Sequence, residues 1–345
     1  MGILLMGFIL GSLVAVSAGF LDIFKIGKGG EDLEGELEES KPVNVSVTLQ
    51  NTPPQVIWWE EPLDGGQPYI PNADSTQDVI FVVTVYDENG ASDVKDVTVN
   101  ANFSINDPDF GFVTRETSNP CDYIDGQDGS YTANYSCTIT MYYYDLGQDE
   151  GPNKWTIGVN VTDKSGGSGS NISEEGSLEL PFFEYGNLLS LKITLPVPPT
   201  LEWTSISSGQ TNTPANNNPV EIRNTGNIKI TGANNKFVTF VGRNLTGISD
   251  SNNKLYLESF GIGVDNPTSP DSDCPLFMTL NGSQQDVNNA YLPRGDNTLP
   301  DNKEELYFCI QNLLPNPIPT DEYATKSVID ETTGEGPWEV GIRNM

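Results

Sequence analysis

Val79-Ile-Phe-Val-Val-Thr-Val-Tyr86, then Asp87-Glu-Asn-Gly-Ala-Ser-Asp93, then Val97-Thr-Val-Asn-Ala-Asn-Phe-Ser-Ile105: these three stretches decide the fold class. The first is almost continuously apolar and β-branched, too short for an ordinary helix and bounded by turn residues. It predicts a strand buried on both faces. The third alternates. Val97, Val99, Ala101, Phe103 and Ile105 share one parity and Thr98, Asn100, Asn102 and Ser104 the other, as in a strand with one face on a core. Asn89-Gly90 between them is a strong turn signal and predicts a hairpin. A buried strand, a polar turn and a half-buried strand make a sandwich-type unit, and the rest of the chain repeats the pattern.

Towards the N-terminus, Val43-Asn-Val-Ser-Val-Thr-Leu-Gln50 alternates strictly, and Thr52-Pro53-Pro54 ends it because proline cannot continue a central ladder. Residues 55–61 add a strand with adjacent Trp58 and Trp59, which must point to opposite faces. One is expected in the core; the other, partly exposed, is expected to pack under the loop 62–78, with stacking on a sugar ring as the alternative. Towards the C-terminus, residues 112–116 and 131–141 read as strands. Tyr131, Ala133, Tyr135, Cys137, Ile139 and Met141 share the core parity of the second. Residues 154–162 put Trp155, Ile157, Val159 and Val161 inward, and residues 163–175, rich in Ser and Gly, read as a linker. A last strand pair is expected over 178–185 and 188–195, with Pro196-Val-Pro-Pro199 as a stiff junction. Further short strands follow at 219–223, 228–230, 237–241, 257–264, 276–280, 306–310 and 338–342. The polar insertion 281–302 is a candidate contact surface.

Asn51-Thr-Pro-Pro-Gln, Tyr86-Asp-Glu-Asn-Gly-Ala-Ser-Asp93, and Trp155 leading into Val159-Asn-Val-Thr-Asp-Lys together resemble the Ig-like domains of archaeal cell-surface proteins. They are also similar to PKD-type and cadherin-like sandwiches, which end strands in Val-Thr-Asp-type sequences. The resemblance covers about residues 43–195. The Trp-x-Phe-Gly-Asp-Gly signature of PKD domains is missing, which leaves the topology open. What the resemblance implies is a modular extracellular sandwich with a structural or adhesive role, and it brings no catalytic residues with it.

The totals agree with display outside the cell. At 345 residues the chain can hold two domains. With 48 acidic and 17 basic side chains its net charge is −31, so nucleic acid would be repelled. There is no histidine, which removes Ser-His-Asp and Cys-His mechanisms and histidine-bound zinc. Residues 1–24 read as a secretory signal, or as an uncleaved anchor, since no basic side chain precedes the apolar run. Membrane contact is expected only through that segment. Residues 25–42 form an acidic tether. Four cysteines, Cys121 and Cys137 in domain 43–196 and Cys274 and Cys309 in domain 200–345, suggest one bridge in each domain. Three pairings are open in principle, and four free thiols are the cytosolic alternative.

Asn-x-Ser/Thr triplets begin at Asn44, Asn102, Asn134, Asn160, Asn171, Asn244 and Asn281, candidate glycosylation sites in an exported chain. Asp87, Asn89 and Asp93 offer oxygens for Ca²⁺, the one cofactor suggested, with Asp122, Asp125 and Asp128 as a second cluster of the same kind. Both are also ordinary solvated turns. The fold expected is all-β, two tandem Ig-like antiparallel sandwiches behind an N-terminal signal or anchor. The function expected is that of a surface structural or adhesive protein and not an enzyme, contacting other surface proteins, envelope polymers or its own copies. The alternative is a carbohydrate-binding module or a carboxylate-dependent glycosidase.

Overall fold

Alternation along the strands, with β-branched and aromatic side chains on one parity, folds the chain into antiparallel sheets. The computed structural model describes residues 46–48, 50–126, 130–148, 151, 154–173, 181–266, 282–295, 302–313, 317–330, 332–333 and 335–344. The signal segment 1–24, the tether 25–42, residues 43–45 and 49 of the alternating run, the strand expected at 276–280 and Cys274 lie outside them; residues 46–48 form no strand, and Val47 is 78 % exposed instead of inward. The fold is all-β, with no α-helix among the described residues.

The first core is built by β1 (Gln55–Trp59), β2 (Thr76–Tyr86), β3 (Asn100–Asp107), β4 (Gly111–Glu116), β5 (Asp122–Asp125), β6 (Thr132–Tyr142), β7 (Thr156–Thr162) and β8 (Ser168–Ile172). They form two four-stranded sheets, ordered β1-β2-β6-β5 and β4-β3-β7-β8. The sheets face each other across a core that includes Trp59, Phe81, Phe103, Tyr135, Cys137, Trp155, Phe183 and Tyr185. Phe81 and Phe103 stack across it with centroids 5.4 Å apart, and Phe103 meets Phe183 at 4.4 Å.

Asn89-Gly90 is therefore not a hairpin turn. β2 pairs with β1 and β6, β3 pairs with β4 and β7, and the segment between β2 and β3 carries the chain from one sheet to the other. Two short 3-10 turns, Ala91–Asp93 and Asp96–Thr98, make the crossing and leave Val97 exposed instead of inward. β2 is half-buried, not buried on both faces: Val79, Phe81, Val83 and Val85 point in, while Ile80 is 53 % exposed. A run of β-branched residues suits a strand whichever face is covered, so composition alone hid the alternation. Trp59 is fully buried and Trp58 46 % exposed, as two neighbours on a strand must be.

The Ser/Gly stretch after Asp163 is no linker either. It turns back into β8, which pairs with β7 from Gly158↔Ile172 to Thr162↔Ser168. Its glycines serve packing. A Cβ on Gly169 would stand 1.9 Å from the Pro54 carbonyl oxygen, so only glycine lets β8 lie against the segment leading into β1.

The second core contains β9 (Leu191–Thr194), β10 (Thr211–Pro214), β11 (Val220–Asn224), β12 (Lys236–Val241), β13 (Leu245–Gly247), β14 (Lys254–Leu255), β15 (Phe260–Gly263), β16 (Gln284–Asp286), β17 (Lys303–Asn312), β18 (Tyr323–Ala324) and β19 (Glu339–Asn344). The path β10-β17-β11-β9 carries β15 beside β17, and smaller sheets run β16-β12-β19 and β14-β13-β18. Trp338 packs edge-on against Phe240 and Phe260 and stacks on Phe308. β9 pairs with β11, so the strand expected to close the first domain belongs to the second core, and Pro196 to Pro199 follow it there. The chain passes between cores at Gly186 to Leu188.

That passage is buried and polar. Asn227 accepts from the Leu188 amide (2.6 Å) and donates to the Gly186 carbonyl (2.8 Å). Asp74, just ahead of β2, takes Arg223 at 2.5 Å and Lys192 at 3.1 Å. At the other end of the same junction, Arg294 has a fully buried side chain. It pairs with Asp107 at the end of β3 and with Asp109 (2.8 Å), donates to the Tyr144 carbonyl (3.1 Å) and lies 5.1 Å over the Phe110 ring. Lys229 completes the group on Asp109 at 2.6 Å. Burial pushes the Asp109 carboxyl up, but Lys229 and Arg294 outweigh it and hold the group below its ordinary range. Arg294 falls in the insertion expected to be a contact surface. Within that stretch Val287, Ala290, Leu292 and Arg294 are buried.

Candidate functional site

The crossing between β2 and β3 brings three carboxylates to one place. Asp87 follows β2, Asp93 closes the first 3-10 turn, and Asp163 follows β7, joined to Val94 by an antiparallel bridge. One carboxylate oxygen from each lies within 4.8 Å of the other two. Asp87 is 0 % and Asp163 1 % exposed, and Asp93 is half-buried. Among the described residues no Lys or Arg pairs with any of them, and the nearby Lys164 ammonium donates to the Ser92 carbonyl instead.

Each acid is held differently. Asp87 Oδ1 accepts from the Asn89 amide at 2.7 Å, while its Oδ2 is buried with no hydrogen-bond partner. Burial pushes its carboxyl up, and Asp93 and Asp163 push it the same way against the Asn89 bond. Asp163 Oδ2 accepts from Asn51 Nδ2 and Oδ1 from the Gly167 amide, both at 2.8 Å. The Asn51 bond leads in holding that carboxyl below its ordinary range. Asn89 does not offer its oxygen to the group: Oδ1 accepts from the Thr52 amide at 2.8 Å. Of the three oxygen donors expected, the structure brings Asp87 and Asp93 together and uses Asn89 to hold the segment leading into β1. Asp163 was missed because it stood at the start of a supposed linker, though the Val159-Asn-Val-Thr-Asp strand end was the available signal.

Among the described residues no other acidic grouping brings three carboxylates together. Asp122 and Asp125 lie exposed on edge strand β5, Asp125 accepts from Asn134, and Asp128 is outside the described residues. In the second core Asp321 gathers the amides of Ser249, Asp250 and Glu322 and the Asn253 side chain. Glu335 sits between Lys254 (2.7 Å) and Lys326 (2.5 Å), with Asp330 also on Lys326 at 3.0 Å.

The backbone amide of Ser249 leads in holding Asp321 at about 2, Lys326 in holding Asp330 at about 2, and Lys254 in holding Glu335 at about 2. A carboxylate held low in the fold and ordinary when unfolded lends stability above about pH 4. That stability is lost as pH falls from about 4.5 through 2. Unfolding midpoints measured across this window should therefore drop, and Asp330→Asn should flatten the slope. An unchanged slope would show that these pairs are too screened to matter.

Cys121 and Cys137 form a disulfide from the β4–β5 loop to the centre of β6, both sulfurs in the core. Cys309 is disulfide-bonded on β17. Of the glycosylation candidates, Asn44 and Asn281 lie outside the described residues. Asn134 Nδ2 is bound to Asp125 and Asn171 Nδ2 to the Val56 carbonyl. Asn102 lies against Gly158, and Asn244 accepts from the Leu257 amide. Asn160 alone of those described is exposed. Because the side-chain nitrogen is the atom a glycan joins, Asn160 should carry the highest occupancy in a glycosylating host. Glycopeptide mapping showing Asn134 or Asn171 modified and Asn160 bare would contradict that order.

No protein-family model matches the chain, and no curated protein matches its sequence.

Proposed function

We propose that this is an exported protein of two tandem Ig-like sandwiches, displayed at the cell surface, where it acts as a structural or adhesive element. It works through contacts with other surface proteins, envelope polymers or its own copies, and not by catalysis. The observation that carries this reading is the buried junction between the two cores. A side chain such as Arg294 is stable out of water only while its partners stay in place, so the cores are held from pivoting. Fixed spacing is what a protein needs if it is to hold contacts apart or transmit load. The Cys121–Cys137 disulfide supports an oxidising compartment. The resemblance of residues 43–195 to archaeal surface domains supports the placement.

The test has two parts. In the source cells, the protein should be found with the envelope or medium and be reached by protease added outside. Purified, it should sediment as more than a monomer or bind isolated envelopes. A cytosolic protein with reduced thiols would sink the reading. The alternative, sugar binding, draws on Trp58, which is 46 % exposed beside Thr84 of β2. A change in tryptophan fluorescence with envelope polysaccharide that is lost in Trp58→Ala would favour it.

A further inference from the structure

We propose that Asp87, Asp93 and Asp163 bind one Ca²⁺, and that the ion locks the segment Asn51 to Pro54 onto the first sandwich. Three carboxylates crowded together without a cation are a costly arrangement, more so with two of them removed from water. Among the other described residues, the buried acids Asp107, Asp145 and Glu335 have found Arg or Lys. Here Asp87 Oδ2 has nothing. A hard cation supplies what is lacking: it neutralises the charge and gives the orphaned oxygen a partner.

Coordination chemistry selects the ion. Ca²⁺ holds oxygens at about 2.3–2.6 Å, so two ligands on opposite sides stand about 4.8 Å apart, and the three oxygens here lie within that span. Mg²⁺, at about 2.0–2.1 Å, demands near-ideal octahedral geometry and dehydrates reluctantly, so it favours sites that leave it several waters over a cluster of three carboxylates. Carboxylates binding through both oxygens, with water, reach the six to eight ligands Ca²⁺ takes.

The lock follows from the hydrogen bonds around the site. Asp163 holds Asn51, Asn89 holds the Thr52 amide, and the Asp87 oxygen holds the Asn89 amide. An ion that fixes Asp87 and Asp163 fixes both anchors of the segment through which the N-terminal part of the chain joins the sandwich. This inference does not depend on what the surface contacts are, so either can fail without the other.

The test uses the full chain, stripped with chelator and titrated with CaCl₂, with MgCl₂ in parallel, by calorimetry and thermal unfolding. Ca²⁺ should bind at one site and raise the midpoint, and Mg²⁺ should bind at least tenfold more weakly. The Thr52 and Gly167 amides should exchange hydrogen more slowly with Ca²⁺ than with chelator. Asp93→Asn, at the half-buried position, should unfold in chelator at or above the wild-type midpoint, because a like charge beside Asp87 is gone, and should weaken Ca²⁺ at least tenfold. Asp87→Asn should unfold in chelator at or above the wild-type midpoint, because a buried unpaired charge is gone, and should gain nothing from Ca²⁺. Wild-type protein that shows neither heat nor midpoint shift with Ca²⁺ would overturn the site. So would variants that bind like wild type, or an Asp87→Asn equally destabilised with and without Ca²⁺. Binding without slower exchange at Thr52 would overturn the lock.

Discussion

Arg294→Ala should cost about 3–5 kcal/mol, the range for removing one partner of a buried ion pair, because Asp107 is left charged and 3 % exposed. Asp109 keeps Lys229, and the Tyr144 carbonyl loses a donor. The loss should be visible in the form of the transition as well as its midpoint. With the junction intact the two cores are expected to unfold together, and without it urea unfolding should separate into two steps. The double substitution Arg294→Met with Asp107→Asn should recover part of the loss, since no charge then remains stranded. A cost below about 1 kcal/mol for Arg294→Ala, with a single transition, would show that the cores are held by something other than this group.

Cys121→Ser should be nearly as severe. The bridge closes a 16-residue separation, worth about 3 kcal/mol in the chain-entropy description, which for a domain of this size is a fall of roughly 6–12 °C in Tm. Cys137 is fully buried at the middle of β6, so the substitution also leaves a thiol in the core. Reductant should lower the wild-type midpoint by a similar amount and leave that of Cys121→Ser unchanged, unless the disulfide at Cys309 contributes its own share. Cys121→Ser unfolding with the wild type would mean that backbone bonds, Cys121 to Val99 and Thr117 to Ala101 among them, suffice to pin the β4–β5 loop.

Most of what was legible in the sequence was local. Parity placed Tyr131, Ala133, Tyr135, Cys137, Ile139 and Met141 inward; the last five are fully buried, while Tyr131, just ahead of β6, is 56 % exposed. It separated Trp58 from Trp59. What it could not supply was which strand lies beside which. Asn89-Gly90 has the residues of a tight hairpin, yet the same residues suit a corner between sheets, and only the distant partners of β2 and β3 distinguish them. The glycines after Asp163 looked like slack because their use is to admit Pro54, more than a hundred residues away. The metal candidate was half legible for the same reason. Asp87 and Asp93 are neighbours in the chain, while Asp163 reaches them only through β7. Arg294 was hidden in a polar stretch because its partners, Asp107 and Asp109, belong to the other core.

The order in which these partners occur along the chain has a consequence for how the protein is made. Asp107 precedes Arg294 by 187 residues, β2 waits for β6, and Asp87 waits for Asp163. A chain emerging N-terminus first therefore holds unpaired strands and uncompensated acids for much of its synthesis or passage, when neighbouring chains could pair with them. The acidic excess that sums to −31 over the whole chain is already building in that interval. Unfinished molecules repel one another until the late-arriving cations and strands close the two cores, so the acidity that limits the folded protein's partners also protects the nascent one.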